Sequence, residues 1–215
     1  MKWLYRFLIV VGIVLVFSPV AAETYTYYQQ GILNSKLMAD AGQVDEEDPT
    51  VVYPEELTTV EGFSENSREE LQVSKPVKEE PINAPFKLTI PKIKLDAVVV
   101  DGVGKQDLRK GPGLYPQGSL PGAPGNVAIA AHRTTYGAWF NHLDRLGSGD
   151  EITISREGRD IIYQVEKVFT TTKDDWSVIE PMGYNTLTLT TCDPPGSVKR
   201  RLIVRARQEA EGDGD

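Results

Sequence analysis

The chain has 215 residues with 23 basic and 31 acidic side chains, a formal net charge of −8 and a single cysteine. That length allows one domain plus appendages, and a lone cysteine excludes an internal disulfide. One Cys and two widely separated His give no metal-ligand spacing, and there is neither a phosphate-cradling glycine motif nor a basic aromatic tract to bind nucleotide or nucleic acid.

At the N-terminus, Lys2 and Arg6 precede an apolar run from Phe7 to Ala22. We read 1–22 as an export segment, either a membrane anchor or a signal. The run is a little short of the roughly 20 residues that span a bilayer, and Trp3, Leu4 and Tyr5 extend it if Arg6 snorkels. Val20-Ala21-Ala22 fits a signal peptidase site. The Tyr25-Thr26-Tyr27-Tyr28 cluster beyond it reads as an interfacial aromatic belt, which favours an uncleaved anchor with Lys2 and Arg6 on the cytoplasmic side. Residues 23–85 carry 14 acids against 4 bases and are punctuated by proline. Such composition cannot bury enough surface to offset ordering entropy, so we expect a largely disordered stem with a short helix near Tyr28 to Met38.

The segment 86–207, with 13 acids and 17 bases, holds the folded domain, and 208–215 is an acidic tail. Its short, often alternating runs bounded by Gly, Pro, Asp or Asn predict strands at 86–90, 97–100, 125–131, 151–155, 161–171, 186–192 and 201–207. Closely spaced strands of this kind suggest a barrel or sandwich. Glu157-Gly158-Arg159-Asp160 reads as a hairpin turn. Short helices fit at 137–146 and around Trp176 to Ile179.

Three strand ends carry chemistry-bearing side chains: Cys192, His132 and the pair Arg200-Arg201. Thiolate is the nucleophilic form of cysteine, and an unassisted thiol with a pKa near about 8.5 is only a few per cent ionised at neutral pH. A nearby imidazolium stabilises it, and the same imidazole can protonate a leaving amine. An arginine can hydrogen-bond a developing oxyanion. Because alternate strand residues face opposite sides, only one of Arg200 and Arg201 can point at the cysteine. Asp193 is a complication, since a carboxylate beside a thiol disfavours the thiolate unless it points away; a turn-forming Asp-Pro role suits it better. His142 falls in a helical segment among surface neighbours and is not assigned to catalysis. The competing reading of Cys192 is a buried, inert thiol in a non-enzymatic anchored binding module.

Three local patterns resemble the sortases, the cysteine transpeptidases of Gram-positive cell surfaces. Thr188-Leu189-Thr190-Thr191-Cys192 fits the Thr-Leu-x-Thr-Cys nucleophile motif. Gly125 to Arg133, followed by Phe140 to Leu146 and Gly149 to Ile152, is similar to the histidine strand, short helix and next strand. Arg201-Leu202-Ile203-Val204-Arg205-Ala206 is similar to the strand carrying the catalytic arginine. His132-Arg133-Thr134-Thr135-Tyr136-Gly137 looks most like class E, with class D as the alternative. Two departures bear on the substrate groove: Ala131 stands where many members have Gly, and Trp139 where class E members usually have Pro. The resemblance implies a closed β-barrel of about eight strands with a few short helices, anchored in the cell membrane by a single pass with its catalytic domain extracellular.

The resemblance also implies that Cys192, His132 and Arg201 are catalytic. Such an enzyme cleaves a C-terminal sorting signal of secreted proteins, Leu-Ala-x-Thr-Gly or Leu-Pro-x-Thr-Ala in type, and transfers the protein through a thioester to a peptidoglycan-precursor amine. Polymerisation onto a pilin lysine is the variant function. Tyr136 is our candidate for contacting the second signal residue, Ala130, Val168 and Ile179 for the apolar pocket wall, and Thr191 for the substrate-binding set. No cofactor is expected; calcium, which some sortases bind, finds carboxylates here only in Asp174, Asp175 and Glu180, read as a solvated loop. Asp48-Pro49 resembles the lid of class C pilus sortases, but Thr50 replaces their aromatic residue. The L,D-transpeptidases also pair Cys with His, yet in one compact motif, whereas these two lie far apart in the chain.

Overall fold

The first strand of the domain shows how the barrel forms. In β1 (Phe86–Ile90) the side chains of Phe86, Leu88 and Ile90 are buried and alternate with half-exposed Lys87 and Thr89, the period-two pattern that puts one face of a strand on a core. The computed structural model describes residues 2–41 and 85–209. After β1 come β2 (Leu95–Asp101), β3 (Gly113–Leu114), β4 (Asn126–Ala130), β5 (Glu151–Arg156), β6 (Arg159–Thr172), β7 (Thr186–Asp193) and β8 (Arg200–Gln208). They close into a barrel in the order β1-β2-β3-β4-β7-β8-β6-β5. Its interior holds Phe86, Leu88, Ile129, Ile152, Ile154, Tyr163, Leu187 and Leu189 among others.

The predicted strands recur with ends shifted by a residue or two, and β3 is an addition too short to leave a periodic signal. The turn joining β5 to β6 is built as expected: Glu157 and Gly158 both have positive φ, 52° and 74°, the left-handed pair that matches strand twist in a two-residue hairpin. β4 and β7 run parallel in the register Ala128↔Thr188 and Ala130↔Thr190. All five residues of β4 are buried, as expected where a strand is covered on both faces. A second apolar cluster of Ala128, Val178, Ile179 and Ile203, with Tyr115 and Phe169 packed against it, lies outside the barrel wall beneath the 3-10 turn Trp176–Ile179.

Two expectations are corrected. The helix predicted over 137–146 is reduced to a single 3-10 turn at Leu143–Arg145, because Tyr136, Gly137 and Ala138 take left-handed φ values of 49°, 79° and 43° that no right-handed helix accommodates. The short helix expected near Tyr28 to Met38 is longer than expected: residues 23–41 are the C-terminal part of helix α1 (Lys2–Ala41). The helix docks because β2 has an open edge: β3 pairs only with Val100 and Asp101. Opposite Val98 the Gln30 amide takes the place of a missing strand. The Val98 N–H donates to Gln30 Oε1 at 2.8 Å, and Gln30 Nε2 donates to the carbonyls of Val98 at 3.0 Å and Lys110 at 2.9 Å. The rest of the expected stem, 42–84, the side chains of 12–22 and the tail 210–215 lie outside the described residues.

Candidate active site

Strand alternation sorts the residues at the end of β7 onto two faces. Cys192 pairs directly with Arg201 across the antiparallel β7–β8 ladder, and Asp193 with Arg200. Directly opposed residues share a face and neighbours along a strand do not. On one face, Arg201 Nη1 lies 3.8 Å from Cys192 Sγ and is steadied by the carbonyls of Arg200 at 3.1 Å and Val198 at 3.4 Å. On the other, Arg200 Nη2 donates to Asp193 Oδ2 at 2.8 Å. The alternation argument therefore selects Arg201 over Arg200, and the Asp193 carboxylate points away from the thiol.

His132 reaches the same place through the parallel pair. The β4–β7 register ends at Ala130↔Thr190, and continuing it by two residues brings His132 level with Cys192. Past the strand end the chains stay laced together, since the Ala131 N–H donates to the Thr190 carbonyl at 3.2 Å and Thr191 Oγ1 donates to the Ala131 carbonyl at 2.8 Å. Burial, and secondarily the charge of Arg109, hold the His132 imidazole below its ordinary pKa, because both disfavour the protonated ring. Its Nε2 is buried with no hydrogen-bond partner among the described residues, and the Tyr136 ring lies against it with centroids 5.3 Å apart.

Arg133, the residue after the histidine, is 5% exposed and ties three elements together. Its guanidinium donates to the Cys192 carbonyl at 3.2 Å and to Asp193 Oδ1 at 3.0 Å, and pairs with Asp144 at 3.1 Å. Asp193 is thus shared between Arg133 and Arg200. Charge-assisted bonds of this kind are the strong ones, and here they fix the backbone of the cysteine to the loop that carries the histidine.

Beyond Cys192, the outer face of the wall carries Thr190 with Ala130 and Ile203 beside it in the neighbouring strands, and Val178 and Ile179 pack over Ala128 and Ile203. Tyr115 hydrogen-bonds Thr190 Oγ1 at 3.1 Å and meets Trp176, 62% exposed, edge to face at 6.4 Å. The Trp176–Ile179 turn is pinned to the barrel: Arg205 Nη2 and Asn126 Nδ2 both donate to the Val178 carbonyl, at 3.0 and 3.1 Å. The carboxylate of Asp175 accepts from the hydroxyls of Ser177 and Thr171. Those bonds hold it below its ordinary pKa, the Ser177 hydroxyl foremost. One carboxylate considered for calcium is therefore committed to shaping the loop, and among the described residues no three His, Cys, Asp or Glu side chains gather.

Of the residues expected in the substrate site, Ala130 and Ile179 lie on this outer face and Tyr136 lies against His132. Two face elsewhere. Val168 opposes Val204 in the β6–β8 ladder and packs on the barrel interior, because it is one residue out of phase with Phe169, which packs on the outer cluster. Thr191 is buried with its hydroxyl spent on Ala131, one residue out of phase with Cys192. His142 borders a separate pocket of about 400 Å³ with Tyr27, Lys94 and Trp139. Sequence reasoning passed over Arg109, Tyr115, Arg133 and Trp176. Only Arg133, adjacent to the histidine, carried a positional hint.

The Sortase domain family model matches residues 88–209. The chain belongs to the sortase family. It is 30% identical over 125 residues to Sortase D of Bacillus subtilis (strain 168), covering 56% of this chain and 62% of that protein. It is 29% identical over 140 residues to Sortase SrtE1 of Streptomyces coelicolor, covering 58% of this chain and 40% of that one. The chain thus spans less than two thirds of the length of either relative. Among solved structures, the Clostridium perfringens Sortase D5 transpeptidase superposes with a TM-score of 0.55 at 30% identity, over 59% of this chain and 79% of that chain. A lid mutant of Sortase A from Corynebacterium diphtheriae gives 0.57 at 26% identity, over 65% and 77%. The closed eight-stranded barrel is the sortase fold.

Proposed function

We propose that this chain is a cell-surface cysteine transpeptidase that cleaves a C-terminal sorting signal after its threonine and joins the new carboxyl to a cell-wall amine. The observation that carries this reading is the Cys192–Arg201 pair, with Sγ and Nη1 3.8 Å apart, at the strand end that the β4–β7 register shares with His132. Cys192 thiolate attacks the threonine carbonyl, and Arg201 donates hydrogen bonds to the oxyanion that forms. As the C–N bond breaks, the His132 imidazolium gives its proton to the departing amine, leaving an acyl-enzyme thioester. Neutral His132 then takes a proton from the incoming amine as it attacks. The new amide forms, the C–S bond breaks and the thiolate returns. The depressed pKa of His132 makes its imidazolium a readier proton donor.

The signal is of the Leu-Ala-x-Thr-Gly type, on the class E character of His132 to Gly137, with the class D type Leu-Pro-x-Thr-Ala as competitor. The apolar segment before Ala22 is an uncleaved anchor, supported by the exposed Tyr25, Tyr27 and Tyr28 that follow it. The half-exposed thiol favours chemistry over an inert binding module. The test is to incubate the chain with both peptides, with a wall-type amine or a lysine-bearing pilin peptide as acceptor, beside Cys192→Ala. Mass spectrometry should find a thioester and a ligated product with the wild type alone. Absence of both with every peptide would end the proposal.

A further inference from the structure

The loop from His132 to Phe140 is strained. Tyr136 and Ala138, neither of them glycine, hold left-handed φ values on either side of Gly137, a region in which a side chain crowds the following carbonyl. Such a conformation persists only where its surroundings over-determine it, and two contacts from outside the loop do so. The Arg109 guanidinium, from the β2–β3 connection, sits over the Tyr136 ring at 5.1 Å, and that ring lies against His132. Tyr27 of α1 meets Trp139 edge to face at 5.9 Å.

Both contacts trace back to one turn of α1. Gln30 bonds the Lys110 carbonyl and Thr26 Oγ1 donates to the Arg109 carbonyl at 3.0 Å. The helix therefore grips the backbone on which Arg109 is carried. Gly111 is required there: a Cβ on it would stand 2.2 Å from Gln30 Nε2 and 3.0 Å from the Val98 carbonyl. From Gln30 an unbroken chain of contacts runs through the 109–111 backbone, the Arg109 guanidinium and the Tyr136 ring to the imidazole.

We propose that Arg109 is a positioning residue for His132, acting through the Tyr136 ring, and that the Thr26–Gln30 turn of α1 holds it in place. This rests on His132 being the general acid of the reaction proposed above. The other ionisable groups around the imidazole are Cys192 on β7, Arg201 on β8, and Arg133 and Tyr136 on its own loop. Arg133 is turned to Asp144 and Asp193 and Arg201 to Cys192, which leaves Arg109 as the cation whose charge bears on the ring. Removing that charge raises the imidazole pKa; a lysine in its place keeps the charge but not the planar stack.

The experiment uses the full chain in detergent micelles, with His142→Gln so that one ring signal remains, and follows the His132 Cε1–H resonance against pH. Arg109→Met and Arg109→Gln should move its midpoint to higher pH, and the limb of kcat/KM that His132 governs should move the same way. Arg109→Lys should leave the midpoint near wild type while the Tyr136 ring resonances change. Gln30→Leu, which leaves every active-site side chain in place, should shift the midpoint in the same direction by less. An unchanged midpoint in both neutral variants, each melting like wild type, overturns the assignment. So does a Gln30→Leu protein indistinguishable from wild type in midpoint and kcat, which would remove α1 from it. If the midpoint shifts but no variant, wild type included, forms a thioester, the positioning stands and the transpeptidase reading alone has failed.

Discussion

Replacing Arg133 by methionine tests whether Cys192 and His132 are held by packing alone or by one buried cation. The side chain is 5% exposed and makes three polar contacts, which do not weigh equally. Asp144, 53% exposed, can turn to solvent, and an exposed pair is worth about 0–1 kcal/mol. Asp193 keeps Arg200, so it is not left as a lone buried charge, for which the loss would approach about 3–5 kcal/mol. The Cys192 carbonyl loses a charge-assisted donor worth about 1.5–3 kcal/mol. Together these predict about 2–4 kcal/mol lost in urea unfolding. Because the lost bond is to the backbone of the nucleophile, kcat should also fall, about 100-fold for a displacement near 1 Å, with KM little changed. A double-mutant cycle with Asp193→Asn should return a coupling of about 0.5–3 kcal/mol. Less than about 0.5 kcal/mol of destabilisation, which is the level of an ordinary surface substitution, together with an unaltered kcat, would refute the reasoning.

Arg201→Met should lower kcat about 100- to 1,000-fold, the usual consequence of losing one oxyanion donor, and Arg201→Lys should recover only part of it because an ammonium lacks the planar guanidinium whose Nη1 faces Sγ and the carbonyls of Val198 and Arg200; wild-type activity in Arg201→Lys would show that charge alone matters. His132 gives a pH signature in stability. Its folded pKa lies below the ordinary 6.5, so the unfolded chain binds the proton more readily, and this residue's contribution is complete above that value and lost as pH falls through the folded pKa. In His132→Gln, urea midpoints should therefore fall less steeply than wild type on acidification below about 6.5, and parallel pH profiles would contradict the assignment.

How far the site could be read from the sequence depended on whether geometry followed from neighbours in the chain. The seven predicted strands and their alternation were visible because half-buried strands write their pattern at period two. The same rule put Arg200 and Arg201 on opposite faces, and the ladder register then shows that Arg201 is the one beside Cys192. It failed for Val168 because β6 carries a bulge between Val165 and Lys167, and a one-residue slip moves every later side chain to the opposite face. The motif points to Thr191, whereas its phase, one residue off Cys192, places it on the other side. Arg109 and Tyr115 were not legible, since each meets its partner across long-range pairings that no local period encodes. Nor was the docking of α1, because the Gln30 amide answers a vacancy in the β2 edge that exists only once β3 has formed.

The arrangement explains why chemistry sits outside this barrel rather than within it. The interior is filled by apolar side chains from all eight strands, which leaves no room for a peptide. The outer face of β4 and β7 carries small or polar residues, Ala128, Ala130, Thr188 and Thr190, and the turn carrying Trp176 packs over part of it. β7 therefore does two jobs by alternation: Leu187 and Leu189 anchor it in the core while Thr190 and Cys192 face outward. Any substitution that slips the β7 register by one residue should abolish the reaction and the fold together, whereas a change confined to the outward row, such as Thr190→Val, should spare the fold and loosen Tyr115 alone.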